Sequence, residues 1–446
     1  MPIIKPQGAR KGASYYLVSL DRRGVELDDD DGEPQVGRRP YRVGPIRRSL
    51  RRASDAAFAD SSTRAEDVVK QSHRERCLLS DAIAREIRSA RTANRPYSDI
   101  FFIAHGWMAD LGGAIDTFSA WVEQMEKAIP PSLAGAAAFR PLVVGVHWPS
   151  RPLPVRTQRK DHPLPHGLEP TAPGGPLDLD TETKPTFTNV AYSVVPILSF
   201  FQMEARAGVV GREGAAKILA KLQDAAGEAP DGTQGGSAPR FHLMGHSFGA
   251  KLLSETLRDP RPRHPANVRS VHTLFLVEAA FSTWGFDPKP NAYKDPAGPF
   301  STVLDPRRKV DGAAIAVTSK YDYALGRVFP GAERLEYMAK HFWRGSAWRG
   351  WDTLPQSAPR AGALGFWSFS GVNSCQDTIR KAPAVPQQYG FLAKQNYHLV
   401  GDAVIDTSDS VMGRNTVKND NFFVGGHSNI VHPEVANAFW QAALVP

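Results

Sequence analysis

The chain has 446 residues, of which 41% are hydrophobic and 22% charged, with a formal net charge of +8 and two cysteines, Cys77 and Cys375. Two cysteines so far apart make neither a disulfide framework nor a cysteine metal site, and they suit a reducing cytoplasm. The length and apolar content allow a sizeable core, in one large α/β domain with insertions or in two domains.

In chain order, Ser14–Leu20 is β-branched and aromatic enough for a first strand, closed by a turn at Asp21–Gly24. Residues 26–57 are polar and rich in Pro, Gly and Arg, and read as loop. Arg38, Arg39, Arg42, Arg47, Arg48, Arg51 and Arg52 cluster there, just after the acidic Asp28–Asp31. No aromatic interleaving or zinc-finger spacing accompanies them, so the cluster reads as a solvated arm, with anionic lipid as an alternative contact and no nucleic-acid partner expected. Residues 1–62 thus form an N-terminal strand and arm. There is no apolar signal core, and the most apolar stretch, Tyr192–Phe201, is too short to span a bilayer and contains Pro196. The expected location is cytoplasmic.

A helix is predicted over 63–93, with Val68, Val69, Leu78, Leu79, Ile83 and Ile87 as its buried stripe. Asp99–Trp107 is an apolar run ending in His-Gly-Trp, short enough for a buried parallel strand. Ile115, Phe118, Trp121, Val122 and Met125 then recur at helical spacing until Pro130-Pro131 stops them. Pro141–Trp148 is another buried strand. Residues 151–238 read as an insertion: a Pro- and Gly-rich loop to about Thr188, helices near Val190–Ala207 and Gly211–Ala226, and a second loop. An excursion after a strand end suits a lid over a site. Residues 63–150 and 239–446 form the expected core.

Arg240–Leu253 begins as an apolar run, passes through Gly245-His246-Ser247-Phe248-Gly249 and becomes helix-periodic. Strand, sharp turn and helix give a G-x-S-x-G match its meaning: the glycines let strand and helix pass closely while the serine projects at the helix start. Ser270–Glu278 and Ala313–Ser319 are further strands, Arg327–Gly390 is aromatic and irregular, and Tyr397–Asp406 suggests a last strand. Phe422–His427 leads into a helix from Pro433, with Val435, Phe439, Trp440 and Leu444 buried.

Strand–helix alternation, an elbow in mid-chain and a histidine loop before a terminal helix together resemble the α/β-hydrolase fold, from about Asp99 to the end apart from the insertion. The resemblance implies an α/β, mostly parallel sheet of about eight strands with helices on both faces, and a serine hydrolase whose groups follow the order Ser, acid, His. Ser247 is the expected nucleophile, which needs a base, an orienting acid and an oxyanion hole. His427, on a glycine-flanked loop, is the expected base; His432, His398 and His341 compete. Asp322, just past a strand end, is the expected acid. Glu278, one strand earlier, is the alternative, with neighbouring backbone amides as its other use; Asp402 and Asp406 are further candidates.

The amides of Phe248 and Trp107, or Met108 for the latter, are the expected oxyanion donors, and His105 is expected to be structural. Met108, Phe281, Trp284 and Tyr323, with Trp107 and Phe248, are candidates for an acyl pocket, each equally suited to plain core. No metal spacing is present, His105 and His147 do not pair as ligands, and Gly211–Lys217 is an incomplete Walker sequence. No cofactor is implied. The expected function is cleavage of carboxylic esters, small-molecule or lipid, through an acyl-enzyme. A membrane-surface phospholipase using the arginine arm and an inactive binding protein of the same fold are the alternatives.

Overall fold

The computed structural model describes residues 15–27, 78–150 (without 108, 110, 135 and 137), 200–227, 238–259, 266–288, 297–304, 309–330 (without 323), 362–381, 386–406 and 426–446. The arginine arm, residues 63–77, the first part of the insertion to residue 199, His341, Met108, Tyr323 and Phe422–Gly425 lie outside the described residues.

Short apolar runs bounded by turns make the strands β1 (Tyr16–Ser19), β2 (Asp99–Ala104), β3 (Pro141–His147), β4 (Arg240–His246), β5 (Thr273–Val277), β6 (Ala313–Thr318), β7 (Cys375–Thr378) and β8 (Gln395–Val400). They form one eight-stranded sheet in the order β1-β3-β2-β4-β5-β6-β8-β7, with every neighbouring pair parallel. The fold is α/β. Strand side chains alternate between faces, so one sheet serves two cores. Ile100, Phe102, Leu243, Leu274 and Leu276 meet Ile83 and Ile87 of the Leu79–Thr92 helix and Leu252 and Leu253 of the Phe248–Thr256 helix. On the other face, Phe101, Met244, Phe275 and Ile315 meet Phe118 and Trp121 of the Leu111–Lys127 helix and Phe439 and Trp440 of the Pro433–Ala443 helix.

Two elements differ from the sequence reading. β7 falls within the stretch expected to be irregular: Cys-Gln-Asp-Thr is polar because it lies on the sheet edge and buries little. The helices expected near Val190–Ala207 and Gly211–Ala226 run without a break from residue 200 to 226, through a π-helical turn at Gly211–Ala215. Glycine in this segment allows close approach rather than a break: a Cβ on Gly211 would lie 2.4 Å from the Leu252 carbonyl oxygen. Met203, Leu219 and Leu222 of this segment belong to the first core. Among the described residues no helix is long and apolar enough to cross a membrane.

The chain steps from β2 outward to β3 and then back across β2 to β4, so the direction of winding reverses beside β4. In open parallel sheets this is where strand ends diverge and a crevice forms above their C-termini. The opposite ends are clamped. Asp99 accepts from Arg240 Nε at 3.1 Å and from His242 Nε2 at 2.9 Å, and His242 Nδ1 lies 3.0 Å from Thr273 Oγ1. Burial works to raise the Asp99 pKa, but the His242 hydrogen bond and the His242 and Arg240 charges outweigh it and hold it below its ordinary value.

Seven imidazoles, His105, His147, His242, His246, His272, His398 and His432, are pushed below the ordinary 6.5, chiefly by burial. Their folded values lie below the unfolded one, so the stability they carry is present above about pH 6.5 and is lost as pH falls. Among the described residues Glu26 and Glu278, pushed up chiefly by burial, act in the opposite sense, but these two groups do not offset the seven imidazoles. The melting temperature is expected to fall by about 5 °C or more between about pH 7.5 and about pH 5. Scanning calorimetry checks this, and a value unchanged or higher at the lower pH would contradict it.

Candidate active site

β4 ends at His246, and the chain turns at Ser247 directly into the Phe248–Thr256 helix. Strand and helix pass so closely that a Cβ on Gly245 would lie 2.5 Å from Ala250 Cα, and one on Gly249 would lie 2.4 Å from the His105 carbonyl oxygen. Only glycine fits at either position. Ser247 absorbs the turn at φ 55° and ψ −125°, a conformation that costs an L-residue about 1–3 kcal/mol. Three backbone hydrogen bonds hold it there. Ser247 N–H donates to Val277 at 3.1 Å, and its carbonyl accepts from Ala250 at 3.0 Å and Ala280 at 3.2 Å.

The side chain it presents is met by groups from the segment after β6 and from the loop before the terminal helix. His427 Nε2 lies 2.9 Å from Ser247 Oγ, and His427 Nδ1 lies 2.6 Å from Asp322 Oδ2. With the Nδ1 proton donated to Asp322, Nε2 is left to accept from the serine hydroxyl. All three residues are buried. Asp322 follows β6, and its other oxygen accepts from Leu325 N–H at 2.9 Å, in the first turn of the helical segment that begins at Ala324. The loops of acid and base are tied together, because Gly426 N–H donates to the Tyr321 carbonyl at 3.2 Å.

The other candidate bases and acids have other partners. His398 Nε2 lies 2.7 Å from Thr318 Oγ1, and His432 precedes the terminal helix and lies 2.9 Å from Asn429 Oδ1. Asp402 accepts from Lys320 N–H at 2.9 Å, and Asp406 accepts from the Asn429 side chain at 3.3 Å, so both brace the loops around the trio. Glu278 neither contacts the His427 Nδ1 nor takes the backbone amides expected for it. It is fully buried at the end of β5 with φ 45°, and neither carboxyl oxygen has a hydrogen-bond partner among the described residues. Burial, reinforced by the charge of Asp322, pushes its pKa well above the ordinary carboxyl range.

The His105-Gly106-Trp107 turn after β2 lies against the elbow, with Gly249 packed under the His105 and Ala104 carbonyls. His105 is structural. Its Nδ1 lies 2.8 Å from the Gly106 carbonyl, its Nε2 accepts from Trp148 N–H at 3.2 Å, and burial pushes its pKa down to about 4. The His147 ring stacks on it at 5.4 Å. The Trp107 and Phe248 rings sit 5.9 Å apart, so the two expected oxyanion residues border the same space. As the first residue of its helix, Phe248 carries an amide that no intrahelical carbonyl can reach. Phe281 packs against Phe286 and Phe300, whereas Trp284 is half-buried in the Thr283–Phe286 turn.

Three further residues shape the site. His246 Nε2 donates to the His427 carbonyl at 2.7 Å, and its ring fills the space a side chain at Gly106 would need. It therefore links the base loop to the His-Gly-Trp turn, and burial, with the neighbouring His427, lowers its pKa to about 3. Phe200 packs at a tilt against Phe248 at 5.1 Å and edge-on against Phe329 at 5.4 Å, extending the aromatic group around Trp107. The histidine before the serine in Gly-His-Ser is the available sequence signal for His246. Nothing local marks Phe200 or Phe329.

No protein-family model, curated protein or solved structure matches this chain.

The glycine contacts set a direct test. Gly249→Ala forces a methyl into the His105 and Ala104 carbonyls, and is expected to destabilise the fold by about 3 kcal/mol. An unchanged urea midpoint would contradict the close packing described.

Proposed function

We propose that this chain is a serine hydrolase of the α/β-hydrolase fold that cleaves carboxylic esters through an acyl-enzyme on Ser247. The observation that carries the reading is the continuous hydrogen-bonded line from Ser247 Oγ through the two nitrogens of His427 to Asp322, starting at a strained elbow. A buried imidazole placed between a hydroxyl and a carboxylate is the arrangement that makes serine nucleophilic near neutral pH.

Ser247 Oγ attacks the ester carbonyl while its proton passes to His427 Nε2. Asp322 holds the Nδ1 proton and stabilises the imidazolium. The carbonyl π electrons move onto oxygen, and the amides of Phe248 and Trp107 receive that oxyanion. One such donor is worth about 3–4 kcal/mol in the transition state. On collapse the C–O bond to the alcohol breaks, and His427 returns the proton to the leaving oxygen. Water, deprotonated by the same imidazole, then attacks the acyl-enzyme and releases the acid and Ser247.

The aromatic group of Trp107, Phe200, Phe248 and Phe329 gives the acyl side an apolar border. The substrate is a small-molecule or lipid ester, and its acyl part carries the apolar contact. Cysteine usage supports a reducing, cytoplasmic setting.

A panel of p-nitrophenyl esters of increasing acyl length tests the reading, and a wild-type protein that hydrolyses none of them would contradict it. Within that assay, Asp322→Asn is expected to lower kcat by up to about ten-thousand-fold, because the wrong tautomer of His427 then faces the serine. Glu278→Gln is expected to cost far less, since Glu278 does not hold that tautomer. The reverse order of effects would move the acid to β5.

A further inference from the structure

Glu278 has no part in this mechanism, yet its state is unusual. Its carboxyl is fully buried with both oxygens unpartnered among the described residues, and its backbone is held at φ 45°. Buried polar atoms are almost always satisfied, and strained backbone persists where the surroundings impose it. The two departures fall on one residue, and that residue stands beside the serine site. One donor atom from each of His246, Glu278 and His427 lies within 4.8 Å of the other two. Glu278 Oε2 is 4.0 Å from His246 Nε2, and the His246 and His427 ring centres are 5.0 Å apart.

Two imidazoles and one carboxylate are a donor set that zinc takes readily. We propose that His246, Glu278 and His427 form a binding site for a divalent transition-metal ion, with zinc the best match, and that the bound ion switches Ser247 off.

The geometry needs only a small closure. Metal–ligand distances of about 2.0–2.2 Å place the donors of a tetrahedral site roughly 3.4 Å apart, so the three side chains close by about 1 Å or more. Glu278 gives up no hydrogen bond in doing so. His246 gives up one, its bond to the His427 carbonyl. His427 offers Nε2 while its Nδ1 proton stays on Asp322, the carboxylate–histidine–metal arrangement that fixes the tautomer of a metal-bound imidazole. Ser247 Oγ, 2.9 Å from Nε2, stands where a fourth ligand belongs. A cation at this point also lies near the Asp322 carboxylate, whose charge already acts on Glu278. Once the Nε2 lone pair is on the metal it cannot take the serine proton, so nucleophile and base fail together. The switch rests on the hydrolase reading, whereas the binding site does not.

The full chain, first treated with a chelator and freed of it, is titrated with zinc chloride by calorimetry and in parallel assayed for phosphonate labelling. One zinc per chain is expected, with labelling falling in step with occupancy and restored by EDTA. Glu278→Gln and His246→Asn are each expected to weaken zinc binding by at least about tenfold; two variants are used so that one misfolded protein does not end the test. Absence of zinc binding, or equal affinity in wild type and both variants, would overturn the site. Zinc that binds through Glu278 and His246 but leaves labelling unchanged would overturn the switch. A wild-type chain that is never labelled, even without zinc, contradicts the hydrolase reading, and the calorimetry still decides the metal site.

Discussion

Ser247 is held at φ 55° because the helix after it crosses β2 and β4 at a distance only glycine tolerates. Gly245 under Ala250 and Gly249 under the His105 carbonyl set that distance, and the backbone between them has no relaxed path. The strain is contained by hydrogen bonds to Val277, Ala250 and Ala280, so β5 and the elbow helix share the load. The rest of the site depends on this crossing. It presents the Ser247 hydroxyl to His427 and brings the His-Gly-Trp turn after β2 alongside. Such strain is tolerated where the rest of the domain is well packed, and here two cores, one on each sheet face, supply that packing.

Electrostatics complete the arrangement. The imidazoles behind and beside the elbow, His105 and His246, are kept neutral by burial and spend their hydrogen bonds on backbone carbonyls and amides. His427 has a carboxylate on one nitrogen and the hydroxyl of the elbow serine on the other. Asp322 keeps its second oxygen on the Leu325 amide, at the start of a helical turn whose dipole favours an anion. Glu278 has no such donor among the described residues, and burial, reinforced by the charge of Asp322, pushes its pKa well above the ordinary carboxyl range. Two carboxyls at neighbouring strand ends thus differ in the amides available to each.

Much of this is legible in the chain. The central strands β2 to β6 are buried on both faces and read as continuous apolar runs, Ser247 and Asp322 each stand just beyond a strand end where a functional group belongs, and His427 stands on a loop before the terminal helix. The edge strand β7 is not legible, because a strand that buries little carries no apolar pattern. The helix over 200–226 reads as two in sequence because glycine there serves interhelical contact, which local propensity does not register. His246 escapes the sequence for a different reason. Its partner is a backbone carbonyl 181 residues away, and a carbonyl has no residue type to search for. The orphaned state of Glu278 is equally hidden, since sequence can suggest a partner but cannot show that none arrives.

The claim that Ser247 is the nucleophile is tested most directly by locating the bond it forms. After treatment with a fluorophosphonate, peptide mass mapping of the full chain is predicted to find a single phosphonyl adduct, on Ser247, and Ser247→Ala is predicted to fold normally and carry none. An adduct on another serine, or an equally modified Ser247→Ala, would contradict the account.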